Sequence, residues 1–410
     1  MSKKVIIVGA GAAGLMAAGA AGFDGHDVTI VERNERVARK VMITGKGRCN
    51  VTNNCTMIND FIANVPVNGM FLYSALSKMM PIDLMDVLEN YGLELKVERG
   101  NRVFPASDKA VDVVDTLWKY AQDSGAKRIT GRVTQLLTNE GKISGVQLED
   151  GKKIMADSVI IATGGVSYPL TGSTGDGYEL AKSVGHKIED IKPSLVPLVC
   201  HEGFCSDLQG LALKNIEITV FDNNTYKDIY KDFGEMLFTH FGVSGPVILS
   251  ASAHLKDMEK RRYEIHIDLK PGLTYEQLDR RIQRDFLDNT NKNFINALNA
   301  LLPKKLVPIM VKLSGIRPNT KVNQITKDER ARLVNQFKDL KVTVMGYRPI
   351  EEAIVTSGGV STKEIDPKTM QSKLVEGLFF AGEVIDVDAY TGGFNLQIAF
   401  STGNLAGMNV

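Results

Sequence analysis

A glycine-rich turn between an apolar strand and an Ala-rich helix constrains this chain more than any other feature. Val5–Val8 is a short apolar run suited to a buried strand, and Gly9, Gly11 and Gly14 follow it with the spacing G-x-G-x-x-G. Gly9 permits a tight turn, Gly11 lets the backbone approach a pyrophosphate, and Gly14 lets the helix pack closely on the strand. The sequence therefore predicts a Rossmann-like dinucleotide site.

A carboxylate lies where such a site binds a ribose. Val28–Val31 is typical of a second buried strand, and Glu32 ends it about twenty residues after the glycines. We expect the phosphates on the main-chain N–H groups that open the helix, which include those of Ala12 and Ala13, because helix N-termini favour anions. The turn, the helix and the acid therefore support one interpretation.

Composition and charge narrow the class of partner. The 410 residues suffice for two or three domains, and the net charge is +1 with no long run of one sign. We therefore predict a small-molecule substrate and no nucleic-acid or membrane partner. Four cysteines in a chain of this length favour a reducing cytoplasm over a disulfide framework. A signal peptide is the competing interpretation of the N-terminus, and the glycines there disfavour it.

Three further segments combine glycine with polar or charged side chains. Residues 39–53 form a loop rich in cations and glycine, suited to an anionic ligand. Thr163–Gly165 interrupts a buried strand that begins near Ser158. Near the C-terminus, a buried strand ends in Gly382 and Glu383, and Gly392–Gln397 leads into an apolar helix. Glycine amides before a helix offer donors to an electron-rich atom, here a flavin carbonyl or ring nitrogen.

The pattern predicts an α/β fold: a Rossmann-like domain built from both chain ends, residues 1–191 and 345–410, with an inserted β-barrel-like domain. Apolar residues alternate with polar ones in two stretches of the middle part, which is typical of a half-buried antiparallel sheet or small barrel over 192–274 and 341–344. The capping boxes Thr274-x-x-Gln277 and Thr326-x-x-Glu329 open helices, so residues 275–340 are predicted to be a small helical insertion.

The chain resembles, over nearly its whole length, the bacterial two-dinucleotide-binding-domain flavoproteins. The resemblance rests on Gly9–Gly14, Gly45–Asn53, Ala162–Gly165, Phe238–Pro246, Thr356–Val360 and Gly377–Glu383 through Gly392–Gln397. Gly45–Asn53 is its most specific part. One departure is Val243, where many relatives carry Leu, a volume-similar exchange. Thr171–Tyr178 is similar to a segment of the fumarate reductase flavoproteins.

The resemblance implies FAD as the cofactor. It places Glu32 on the adenosine ribose, the 45–53 loop beside the isoalloxazine, and Gly382, Glu383 and the 393–397 helix start towards the flavin and ribityl chain. The residues predicted to contact FAD are Gly9, Gly11, Ala12, Ala13, Gly14, Glu32, Arg33, Lys40, Gly45, Lys46, Gly47, Arg48, Cys49, Asn50, Val133, Thr163, Gly164, Gly165, Gly382, Glu383, Asp386, Gly393, Phe394, Asn395, Leu396 and Gln397.

These observations predict an FAD-dependent oxidoreductase that moves a hydride between flavin N5 and a small organic molecule. The chain carries one dinucleotide fingerprint, so NAD(P)H is expected to bind transiently as the electron donor. The preferred hypothesis is an NAD(P)H-dependent reductase of an enone-type acceptor. The alternatives are an amine or alcohol oxidase that passes electrons to oxygen and an FAD-containing protein that modifies or binds RNA.

Three residues are candidates for the chemistry. His240 has a near-neutral intrinsic pKa suited to proton transfer, Tyr390 can donate a hydrogen bond or a proton, and Arg48 can stabilise an anionic reduced flavin. Structural roles compete with each of these functions. The Cys-x4-Cys spacing of Cys200 and Cys205 also admits a redox dithiol, although buried thiols are the expectation. No cluster has metal-ligand spacing, so no metal site is predicted.

Overall fold

The computed structural model describes residues 2–410. The chain divides into two compact units: the first runs to Ser194 and resumes over Pro349–Val410, and the second is Leu195–Arg348. The strands are β1 (Lys4–Val8), β2 (Asp27–Glu32), β3 (Thr52–Asn53), β4 (Leu95–Glu98), β5 (Arg102–Pro105), β6 (Lys127–Thr130), β7 (Val133–Asn139), β8 (Lys142–Leu148), β9 (Lys153–Met155), β10 (Ser158–Ile161), β11 (Ile188–Ser194), β12 (Leu198–Cys200), β13 (Ala212–Asp222), β14 (Lys227–Thr239), β15 (Gly242–Ser244), β16 (Tyr263–Asp268), β17 (Leu340–Tyr347), β18 (Val355–Val360) and β19 (Leu378–Phe380).

The helices are α1 (Ala12–Phe23), α2 (Arg39–Ile43), α3 (Ile58–Ile62), α4 (Tyr73–Lys78), α5 (Pro81–Asn90), α6 (Ala110–Asp123), α7 (Asp176–Ser183), α8 (Phe204–Asp207), α9 (Pro246–Ser252), α10 (Tyr275–Leu287), α11 (Phe294–Ala297), α12 (Val307–Ser314), α13 (Lys327–Lys338) and α14 (Phe394–Gly407). No helix of residues 2–410 is long and apolar enough to cross a membrane. Within the same residues, no group of three or more His, Cys, Asp or Glu side chains is placed to hold a metal ion.

A parallel sheet forms the centre of the first unit, with the strand order β19-β10-β1-β2-β6. Its inner strands are apolar and buried, as expected for a sheet covered on both faces. The two chain ends meet here, because β19 pairs with β10 and α14 packs on α1. That helix contact needs glycine: a Cβ on Gly403 would lie 2.3 Å from the carbonyl oxygen of Ala13. The predicted Rossmann-like fold is confirmed.

The second unit is a closed antiparallel barrel with the strand order β12-β15-β14-β13-β16-β17. Tyr263, Ile265 and Ile267 point inwards and are buried, so the alternation read in the sequence follows the pleat. Helices α10–α13 lie between β16 and β17 in the chain. Both predicted capping boxes are confirmed, at Thr274 and at Thr326. The three-part domain division with its separate helical insertion stays a prediction.

Candidate functional site

The turn between β1 and α1 is held by contacts that only glycine permits. Gly9 has φ +103°, and its N–H donates to the Val31 carbonyl at 2.9 Å. A Cβ on Gly9 would lie 2.6 Å from the Ala162 oxygen, and one on Gly14 only 1.9 Å from the Gly9 oxygen. These two glycines are therefore required by the protein's own packing, as predicted for this turn.

Gly11 differs, because protein packing does not require glycine there. A Cβ on Gly11 would meet no protein atom closer than the Ala162 oxygen at 4.0 Å. Gly11 is the N-cap of α1, which has no side-chain cap and no acidic residue in its first turn. The helix N-terminus therefore presents its main-chain amides beside open space, which fits the pyrophosphate predicted there.

Glu32 ends β2 beside this turn and is buried. Its Oε2 accepts a hydrogen bond from the Ala10 N–H at 2.8 Å, and its Oε1 accepts from the N–H and the side-chain amide of Asn34, both at 2.8 Å. Among the described residues no ion pair includes Glu32. Oε1 thus accepts two hydrogen bonds and Oε2 only one, so Oε2 can still accept from a ribose hydroxyl.

The glycine-rich segment after β10 lies against the residues that follow Glu32. Arg33 Nη1 donates to Thr174 Oγ1 at 2.7 Å, and Asn34 Nδ2 donates to the Thr171 carbonyl at 3.2 Å. Asp176 receives a bidentate contact from Arg132 at 2.8 and 3.0 Å, and hydrogen bonding from that guanidinium lowers the pKa of Asp176. Val133, which follows Arg132 in the chain, is a predicted FAD contact and is buried at the start of β7.

Glu383 is the centre of a second polar cluster, which the fold assembles from four chain segments. Its carboxylate accepts from Lys40 Nζ at 2.7 and 3.0 Å, from the Thr356 N–H at 2.9 Å and from Ser167 Oγ at 3.3 Å. A Cβ on Gly165 would lie 3.2 Å from Glu383 Oε1. The predicted residues Lys40, Gly165 and Glu383 therefore lie together, and Ser167 and Thr356 join them.

The 45–53 loop contains several left-handed residues: Gly45, Lys46, Gly47 and Cys49 all have φ between +57° and +82°. Burial raises the pKa of the Cys49 thiol to about 12, so this cysteine is not a thiolate near neutral pH. The side-chain oxygen Oδ1 of Asn50 is buried without a hydrogen-bond partner. A buried acceptor of this kind fits a ligand N–H donor, since such groups are rarely left unpaired.

Arg48 is occupied within the protein. Its guanidinium contacts both Glu98 and Asp108, with Nε 2.7 Å from Asp108 Oδ1, and stacks 4.1 Å from the centre of the Phe104 ring. Two carboxylates therefore offset its charge locally. This arrangement favours a structural role over the stabilisation of an anionic flavin predicted from the sequence.

The start of α14 is uncapped by side chains and has no acid in its first turn. The side chains of Asn395 and Gln397 hold this helix start to the protein through hydrogen bonds. The Asn395 amide accepts from the Ala389 N–H and donates to the Ala389 carbonyl. The Gln397 amide accepts from Thr52 Oγ1 and donates to the Met79 carbonyl. Phe394 packs edge-on against Phe61. The groups left to contact the ligand predicted at this helix start are therefore the main-chain amides of Phe394, Asn395 and Leu396.

Two buried hydroxyls near Glu383 lack partners. Thr163 Oγ1 and Tyr178 OH are both buried without a hydrogen bond. Burial raises the pKa of Tyr178, with the charges of Glu383 and Asp386 adding to the effect. A Cβ on Gly177 would lie 2.1 Å from Thr163 Oγ1, so α7 begins against this hydroxyl. Sequence reasoning missed Tyr178 as a site residue, although it ends the Thr171–Tyr178 motif.

The two remaining polar candidates of the first unit lie before α14. The Tyr390 N–H donates to the Asn64 carbonyl at 3.0 Å, and the Tyr390 carbonyl accepts from Asn395 Nδ2 at 3.3 Å. Asp386 accepts from Asn68 Nδ2 at 2.8 Å, and burial raises the pKa of its carboxyl group. Both residues are therefore held by neighbouring segments of the same unit.

His240 and the cysteine pair belong to the second unit. His240 is exposed between β14 and β15, with its ring 4.9 Å from that of Phe241. The Cys200 thiol contacts Cys205, and this contact together with burial raises the pKa of Cys200. All four cysteines are free thiols. A raised pKa disfavours a reactive dithiol.

Known proteins resemble this chain over its whole length. It is 31% identical to the 3-dehydro-bile acid delta(4,6)-reductase of Clostridium scindens over 99% of this chain and 98% of the relative. It is 30% identical to the ribosomal RNA dihydrouridine synthase of Escherichia coli over 97% and 95% of the two chains. The fold matches the open conformation of a flavocytochrome c3 fumarate reductase with a TM-score of 0.52 at 19% identity, covering all of this chain and 78% of that one.

The Rossmann fold, the glycine cradle and these relatives define an FAD-dependent oxidoreductase. The family description "HI0933-like protein Rossmann domain" matches residues 3–409. The chain belongs to this family, and the family resemblance predicted from the sequence motifs is confirmed.

Proposed function

We propose that this protein is an FAD-containing, NAD(P)H-dependent reductase. Its substrate would be a carbon–carbon double bond conjugated to a carbonyl group, which it saturates. The names of two relatives support this reaction class. A delta(4,6)-reductase of a 3-dehydro bile acid acts on double bonds near a ketone, and dihydrouridine is uridine with its 5,6 double bond reduced beside a carbonyl. The shared chemistry is hydride addition to the carbon remote from the carbonyl, with proton addition next to it.

The observation that carries the cofactor part of the proposal is the open cradle at Gly11 beside the Glu32 carboxylate, whereas the acceptor rests on the names of the two relatives. The α1 amides would hold the pyrophosphate, Glu32 the adenosine ribose, and Glu383 the ribityl hydroxyls, while Asn50 would accept a ligand N–H. FAD supplies the hydride chemistry when bound. Lys40 offsets the charge of Glu383 and keeps its two oxygens in place.

In this proposal the phenol of Tyr390 donates the proton to the reduced substrate. Its main chain is tied on one side to Asn64 and on the other to Asn395 at the start of α14. A phenol is a competent general acid when an enolate takes up the proton. Because both main-chain groups of Tyr390 are hydrogen-bonded, the positions that its phenol can reach are limited.

The test follows the flavin spectrum without oxygen. We expect NADPH or NADH to bleach the oxidised flavin promptly, and a cyclic enone or a uridine-containing RNA to restore it. The choice between these acceptors identifies the substrate class. Bleaching by an amine or alcohol alone, with rapid recovery in oxygen and none with either unsaturated acceptor, would overturn the proposal in favour of an oxidase.

A further inference from the structure

The near-neutral charge of the whole chain conceals an uneven distribution. The second unit, Leu195–Arg348, holds 23 Lys or Arg residues against 18 Asp or Glu, a net charge of +5. The rest of the chain holds 26 against 30, a net charge of −4. The two units therefore differ by nine charges. A prediction about partners that is drawn from the total of +1 cannot detect this difference.

The positive charge is concentrated in one stretch of the second unit, residues 289–327, which we call the basic segment. It contains seven cationic residues and no acidic one. All seven side chains are exposed, and among the described residues none of them forms an ion pair: Lys292, Lys304, Lys305, Lys312, Arg317, Lys321 and Lys327. Lys327 still interacts electrostatically with Asp279. Exposed positive charge at this density attracts polyanions.

The basic segment is ordered around its own core. Phe294, Leu298, Leu306 and Met310 are fully buried. Its two ends lie side by side, because the Phe294 N–H donates to the Thr320 carbonyl at 2.8 Å and the Val322 N–H to the Lys292 carbonyl at 3.1 Å. Lys292 and Lys321, which are distant in sequence, are therefore brought close together along the chain's fold, on neighbouring positions of one antiparallel bridge.

The composition of this surface favours RNA over a lipid membrane. Leu313, 39% exposed, is the one large apolar side chain of the basic segment that is strongly exposed in the described structure. Membrane-surface elements need several such side chains to enter the acyl region. The segment also contains seven asparagines, most of them exposed. Amide side chains hydrogen-bond both phosphate oxygens and base edges.

We propose that the basic segment is an RNA-binding surface that engages the phosphate backbone through its exposed lysines and Arg317. This inference names the partner that would present a reducible uracil, so it rests on the proposed reaction. It also replaces the expectation of no nucleic-acid partner with one based on the charge of each unit. The contacts are electrostatic, so binding must weaken steeply with salt.

The test compares two quadruple variants of the full-length, FAD-loaded protein. The first changes Lys292, Lys304, Lys312 and Arg317 to Gln. The matched control removes the same charge from exposed lysines of the first unit: Lys78, Lys109, Lys153 and Lys368 to Gln. Binding to a fluorescent RNA hairpin with a uridine loop is measured at several salt concentrations. Flavin content and reduction of a small enone are measured in parallel.

We expect the first variant to lose on the order of 100-fold in affinity at about 0.1 M salt and to show a salt slope shallower by roughly 2–3, whereas the control changes little. Both variants should retain flavin and small-enone reduction. Equal binding by all three proteins would overturn the proposal, as would binding of anionic phosphatidylserine vesicles but not of the hairpin. Absence of enone reduction with RNA binding intact would count against the proposed reaction alone.

Discussion

Lys40 Nζ lies 2.7 Å from Glu383 Oε2, which joins two residues that are 343 positions apart in the chain. Both side chains are about four-fifths buried. The pair therefore ties α2, near the glycine turn, to the segment that follows β19. In the proposed function the same carboxylate holds hydroxyl groups of the cofactor, so this ion pair couples folding to cofactor binding.

We expect Lys40→Met to destabilise the apoprotein by about 1–3 kcal/mol, because it leaves a mostly buried carboxylate without its cation. The double variant Lys40→Met/Glu383→Gln should recover part of that loss. Lys142→Met is the control, since Lys142 and Glu376 form an exposed pair at 2.9 Å, and its effect should stay within about 0.5 kcal/mol. Urea unfolding of the wild type, the two single variants Lys40→Met and Glu383→Gln, their double variant and the control measures the coupling. A loss in the double variant equal to the sum of the two single losses would contradict it.

Gly11→Ala should separate cofactor binding from folding. The added methyl meets no protein atom within 4.0 Å, so we expect stability close to wild type and FAD affinity at least about 10-fold weaker. Gly14→Ala places a methyl 1.9 Å from the Gly9 oxygen and should cost about 3 kcal/mol of stability. Thermal unfolding of the apoprotein and FAD titration measure the two effects. Unchanged FAD affinity in Gly11→Ala would place the cofactor elsewhere.

His186 should make stability depend on pH. Its Nε2 lies 2.8 Å from Ser372 Oγ, and because that oxygen already accepts from the Leu374 and Val375 N–H groups, the imidazole accepts and stays neutral. Burial lowers the pKa of His186, against an opposing effect of Glu364. The unfolded chain, with a histidine pKa of about 6.5, therefore takes up this proton first.

It follows that the contribution of His186 to stability is present above about pH 6.5 and declines as the pH falls towards the folded-state pKa, by at most about 1.4 kcal/mol per pH unit. His186→Gln should flatten this slope, whereas His240→Gln, at an exposed site, should preserve it. Urea unfolding at several pH values between about 7.5 and 5 measures the difference. Parallel curves for wild type and His186→Gln would refute the assignment.

Tyr390→Phe should slow the oxidative half-reaction and leave the reductive one intact. We expect at least about a 100-fold loss in the rate at which an unsaturated acceptor reoxidises the flavin, because the proton donor is gone, with flavin reduction by NAD(P)H unchanged. His240→Gln should change either rate by less than about 3-fold. Anaerobic stopped-flow resolves the two steps. The reverse ranking of the two variants would move the proton donor to His240.

Local patterns made much of the fold predictable. The contact between Gly14 and the Gly9 oxygen joins residues close in sequence, and so do the capping boxes at Thr274 and Thr326. Alternation of apolar and polar residues in β16 predicted a half-buried strand. In the structure β16 is one of the six strands of the closed barrel. These features follow from steric and hydrogen-bonding rules that act within a few residues.

The polar side chains of the site were harder to assign, because their partners are distant in sequence. Arg48 lies in a cationic, glycine-rich segment that predicts anion binding. Its guanidinium instead donates hydrogen bonds to Glu98 and Asp108, which are 50 and 60 residues away in the chain. Asn395 and Gln397 lie in a predicted cofactor motif, but their side chains support the main chain instead. Ser167 carries no sequence signal that separates it from other polar residues, and the motif that Tyr178 ends does not indicate that its hydroxyl is buried near Glu383.

The sequence by itself determined the dinucleotide turn, the family and the class of FAD-dependent oxidoreductase, because glycine spacing and strand patterning encode backbone geometry directly and the family's motifs are local. The tertiary structure decided which charges stay available. It paired Lys40 with Glu383, neutralised Arg48, and left the seven cations of residues 289–327 exposed and without an ion pair among the described residues. The reason is physical: a charge acts according to its neighbours and its exposure to water, and folding sets both.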